Sequence, residues 1–148
     1  MYIKHKVIIL LTFITISLIS FKLNLDFNII SGSYVSIISI IIAIYSVFIG
    51  SLTGSSLSKK LSLAPDKVFS YKSELGVIKT YAKYALVCAI LSLISTLLIQ
   101  LLFSFFESTH SNICYKVCSS GCFGLFSVNF IFLYLILSFI LNRELFDR

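Results

Sequence analysis

Residues 28–50, NIISGSYVSIISIIIAIYSVFIG, run for 23 positions without a charged side chain. As a helix this stretch is about 35 Å long, enough to cross a hydrocarbon core of about 30 Å. Within it Gly32, Ser36, Ser39, Ala43, Ser46 and Gly50 recur at steps of 4, 3, 4, 3 and 4. A period of about 3.5 residues holds one side of a helix against one partner. Such a seam has two readings: close packing on a neighbouring helix, or the wall of a pore.

The remaining chain fits the same class. Of its 148 residues, 58% are hydrophobic and 12% charged, with a mean hydropathy of +1.02; a soluble domain averages about 45–50% apolar and about 25% charged. Apolar runs place four spans at approximately 7–25, 28–50, 81–105 and 123–141. They leave too little chain for a separate soluble core. The expectation is one all-α transmembrane domain, 1–148, with a basic loop at 51–80 and an outer loop at 106–122. The N-terminal MYIKHK and the apolar run after it resemble a signal peptide, but no A-x-A-like site follows, so an uncleaved first helix is expected.

Alternation across four spans puts Lys4, Lys6, Lys59, Lys60, Lys67, Lys72, Lys79, Lys83, Arg143 and Arg148 on one side, and only Lys22 and Lys116 on the other. The positive-inside rule then predicts both termini and the central loop in the cytoplasm.

The third span carries a second small series, Ala82, Ala85, Ala89, Ser92 and Thr96, followed by Gln100. The fourth is rich in Phe, with Asn129 its strongly polar residue. Small residues favour helix interfaces and large apolar ones tolerate lipid, so spans two and three are expected inside and one and four outside. Ser36, Ser39 and Ser46, with Ser92, Thr96 and Gln100, are therefore candidates for pore lining or helix packing. Gln100 and Asn129 are expected to bond between helices. The helical stripe Val68, Tyr71, Leu75 and Ile78 predicts a helix opening at Pro65 and running into span three, with Gly76 as a hinge.

Lys59, Lys60, Lys67, Lys72 and Lys79 have two readings: anchorage to anionic lipid, or, with Phe69 and Tyr71, a site for a nucleotide or oligonucleotide. No Walker motif accompanies them. His110, Cys114, Cys118 and Cys122 recur every four residues. The readings are a disulfide on an oxidising side, free structural thiols, or a metal site needing a folded loop. The absence of Asp, Glu, Lys or Arg deep in any span argues against a proton-coupled transporter. No catalytic grouping is present, so a non-enzymatic protein without cofactor is expected.

The layout of spans 28–50 and 81–105 with the loop Lys59–Lys79 resembles the small multi-spanning membrane effectors of bacterial anti-phage defence, of CBASS, retron or Hailong type. The resemblance implies a homo-oligomeric inner-membrane channel that depolarises the membrane. It also implies gating at the cytosolic face by a nucleotide or oligonucleotide. A competing reading is a non-conducting interaction protein of the superinfection-exclusion or immunity type.

Overall fold

The computed structural model describes residues 1–54, 56–63, 65, 73–105 and 113–144. They form five helices: α1 (Ile3–Lys22), α2 (Asn28–Gly54), α3 (Ser56–Leu63), α4 (Glu74–Phe105) and α5 (Ile113–Glu144). Stretches of α1, α2, α4 and α5 are long and apolar enough to cross a membrane: Ile3–Lys22, Asn28–Leu52, Glu74–Leu101 and Ile113–Phe139. Among the described residues the chain is an all-helical, multi-pass membrane protein.

Local chemistry sets the helix ends. The first helix stops at Lys22, short of Leu25, because Asn24 takes a left-handed φ of 49°. The Asn24 N–H then reaches Phe21 O at 3.2 Å and the Leu25 N–H reaches Ser20 O at 3.0 Å. These two bonds are a Schellman ending, with Asn in the role usually taken by Gly. Asp26 Oδ1 accepts the Asn28 N–H at 2.9 Å and so starts α2. The fourth helix begins at Glu74, not Pro65. Pro65 and Ser73 meet as an antiparallel bridge, and Ser73 Oγ accepts the Gly76 N–H at 3.3 Å as an N-cap. The helix passes through Gly76 unbroken. The connection expected at 106–122 is shorter, since α5 begins at Ile113.

The order of packing differs from the sequence expectation. The first helix packs on α5, α5 on α4, and α4 on α2. The central pair is thus α4 and α5, the third and fourth spans. Of the fourth span 33% is buried, against 6% of the first. The physical reason lies in α5's small residues. A Cβ on Gly124 would fall 2.8 Å from a ring carbon of Phe13 and would collide with Ser17 Oγ. Gly124 therefore lets α1 lie directly against α5, as small residues do at membrane helix interfaces. A fourth span begun at residue 123 loses Ser119 and Ser120, which are buried one turn before Gly124.

Contacts at the two ends fix the alternation. Tyr2, Tyr81 and Phe139 meet at one end, where ring centroids lie 6.0–6.4 Å apart. At the other end Phe27 packs edge-on against Phe123 at 5.1 Å. Lys4, Lys6, Lys79 and Lys83 accordingly belong to the first end, and Lys22 and Lys116 to the second. At the lysine-bearing end Leu52, Leu61, Leu75 and Ile78 form a small cluster that docks α3 against α2 and α4.

Candidate functional site

Two stripes run along α2, and both have the same period. Ser31, Tyr34, Ile38, Ile41 and Tyr45 are buried. Gly32, Ser36, Ser39, Ala43, Ser46 and Gly50 are all exposed. Each seam residue through Ser46 follows a buried one by one or two positions, which at 100° per residue averages about 140° around the helix. The small seam therefore faces away from the bundle, and a Cβ added at Gly32 or Gly50 would meet nothing within 4 Å. Packing of this seam on the third span, one of the two sequence readings, is not the arrangement within the protomer.

Shape explains the choice. The small series of α4 is itself buried: Ala85, Ala89 and Thr96 are 0% exposed. The large Tyr and Ile side chains of α2 and the small residues of α4 are buried together in one core cluster where the two helices pack. Two small seams facing each other would leave those large side chains in lipid and lose their dispersion contacts. The outward hydroxyls need no partner, since Ser39 Oγ donates to Val35 O at 2.7 Å and Ser46 Oγ to Ile42 O at 2.9 Å. This back-bonding satisfies a helical serine facing an apolar medium.

The α4 candidates separate from the α2 seam and join a polar interior instead. Asn129, fully buried on α5, donates from Nδ2 to Ser92 Oγ at 2.8 Å and to Leu125 O at 2.9 Å. Tyr45 Oη donates to the Asn129 carbonyl at 3.0 Å, drawing α2 into the same junction. Thr96 Oγ1 donates to Ser92 O at 2.8 Å. Nearer the other end, Gln100 Nε2 donates to Ser31 Oγ at 3.0 Å. The amides thus join helices. Tyr34 Oη is buried beside Ser92 and Asn129 at the same junction.

A second polar cluster lies at the end away from most lysines, and sequence reasoning missed it. Tyr115 Oη donates to Asp26 Oδ1 at 2.7 Å, and Lys116 Nζ to Asn24 Oδ1 at 2.9 Å. Ser119 Oγ accepts the Phe27 N–H at 2.9 Å and donates to Leu25 O at 3.1 Å. They tie the α1–α2 connection across the start of α5 and border a cavity of about 270 Å³. The only sequence signal was the polar run Leu23–Asn28 opposite Tyr115–Ser120, and pairing them needs the fold.

Of the basic candidates, Lys59 on α3 and Lys79 on α4 are exposed, and Lys60 belongs to α3. Lys67, Lys72, Phe69, Tyr71 and His110 lie outside the described residues. Cys114, Cys118 and Cys122 sit on α5 rather than in a loop; the first two are exposed and the third is buried. Among the described residues no three His, Cys, Asp or Glu side chains are grouped to hold a metal ion.

No family model, curated protein or solved structure matches this chain.

Proposed function

We propose that this protein is an oligomeric inner-membrane ion channel, a gated toxic effector that depolarises the membrane in anti-phage defence. The observation that carries the reading is the outward seam of α2. Six small residues on the face opposite the protomer's own packing leave a smooth surface on which a copy of α2 can approach closely. A ring of such helices presents serine hydroxyls toward an axis, a wettable wall without a charge trap. Lys59 and Lys79 stand exposed at one end, where a nucleotide or oligonucleotide would act on α3 and α4. That end is the cytoplasmic one in this reading, with both termini beside it.

The test is expression of the full chain in bacteria with a membrane-potential dye, alongside sizing of the purified protein. A homo-oligomer with depolarisation supports the channel. Absence of depolarisation in every activated state overturns it.

The alternative is a non-conducting interaction protein. It draws on the exposed Cys114 and Cys118 beside the Asp26–Tyr115 cluster, which offer a partner-facing surface at the other end. A monomer in detergent that captures a partner only while Tyr115 is intact would favour this reading.

A further inference from the structure

An open groove of about 400 Å³ runs between α1 and α4 and is floored by α5. It exists because α1 and α4 each pack on α5 and stand apart on its outer side. Leu10 and Phe13 form one wall, Leu91 the other, and Val128 and Phe132 the floor. Lys6 lines it at the lysine-bearing end, and among the described residues no acidic side chain lines it. At that end α1 is tied to α4 through Tyr81, whose Oη accepts the Tyr2 N–H at 2.9 Å and lies 2.7 Å from His5 Nδ1.

We propose that this groove binds one acyl chain of an anionic phospholipid, with the headgroup phosphate on Lys6. The apolar lining of the groove and its length suit a hydrocarbon chain. From Lys6 to Phe13 the helix rises about 10 Å, two thirds of the roughly 15 Å hydrocarbon depth of one leaflet. Over that length Leu10, Phe13, Leu91, Val128 and Phe132 present a continuous apolar lining. An extended hydrocarbon chain can follow this lining lengthwise, and Lys6 at its end favours a phosphate-bearing lipid over an apolar helix of a second copy. A chain in the groove touches protein on three sides, against one side for a lipid lying on a convex helix, and gains dispersion contacts accordingly.

Charge selects the headgroup. Lys6 sits at the mouth, and Lys83 is exposed four residues before Val87, one turn nearer the same end of the α4 wall. Basic residues between transmembrane helices at an interface attract phosphate headgroups. The site belongs to the single protomer and does not depend on the channel reading.

The experiment uses the purified full-length protein in neutral detergent, exposed to dioleoyl phosphatidylglycerol or dioleoyl phosphatidylcholine, with retained lipid read by native mass spectrometry. The expected result is retention of phosphatidylglycerol over phosphatidylcholine. Lys6→Gln lowers that preference about fivefold. Leu91→Trp, which fills the groove from an exposed wall position, lowers retention of both lipids about tenfold. Ile40→Trp, on the exposed face of α2 away from the groove, leaves retention unchanged. Equal retention of the two lipids, or equal loss in Leu91→Trp and Ile40→Trp, overturns the proposal and leaves ordinary annular lipid. Should Leu91→Trp fail to fold, Leu10→Trp fills the groove from the opposite wall.

Discussion

The side-chain amide of Asn129 donates a 2.8 Å hydrogen bond to the hydroxyl of Ser92, joining α5 to α4 in the middle of the apolar bundle. Tyr45 of α2 reaches the Asn129 carbonyl from a third side. Three of the four long helices therefore converge on one residue. In hydrocarbon no water competes for these groups, although the unfolded chain in the membrane also finds partners.

Asn129→Ala is expected to destabilise the protomer by about 2 kcal/mol, combining the lost bond with a small cavity. Ser92→Ala costs less, about 1 kcal/mol, and the double variant shows a coupling of about 0.6 kcal/mol. Unfolding in mixed micelles followed by circular dichroism measures all three, and strictly additive effects would show that the bond carries no energy.

The two faces of α2 give a contrast within one region. Ser39→Leu is expected to change protomer stability by less than about 0.5 kcal/mol, because Ser39 is exposed. Ala89→Leu on α4, at 0% exposure, overpacks the core and costs about 1–3 kcal/mol. Under the channel reading Ser39→Leu abolishes conductance or assembly while the protomer melts as wild type. Conductance unchanged in Ser39→Leu would remove α2 from the pore wall.

Gly124 governs the seat of α1. Gly124→Leu places its side chain into Phe13 and Ser17 and is expected to displace α1 from α5. The cost is about 2–3 kcal/mol, and Gly124→Ala costs about 1 kcal/mol as the Phe13 ring gives way. Gly121→Ala, where a Cβ meets nothing within 4 Å, is the control and leaves stability within about 0.5 kcal/mol of wild type. Cysteine cross-linking between α1 and α5 reads the displacement directly.

The thiols of α5 differ in reach. Cys114 and Cys118 are exposed and Cys122 is buried. A maleimide in mild detergent is expected to modify the first two rapidly and the third only on unfolding, with the ratio read by mass spectrometry of the fragments. An impermeant maleimide applied to spheroplasts labels the same two if this end of α5 faces outward, and fails to label either if the chain is inverted.

Four spans, their alternation and the clustering of lysines at one end follow from the sequence alone, because the length of an apolar run and the placement of charge are one-dimensional quantities. The period of α2 was legible for the same reason. Its sense was not. Tyr34, Ile38, Ile41 and Tyr45 repeat with the same period of about 3.5 residues as Ser36, Ser39, Ala43 and Ser46, so periodicity alone leaves open which stripe turns inward. Only the tertiary structure decided that, by burying the large side chains of α2 in one core cluster with Ala85 and Ala89 of α4. It likewise made α5 central, because Gly124 admits α1 at a distance that no other side chain allows. Complementarity of shape belongs to pairs of helices, and neither helix carries it by itself.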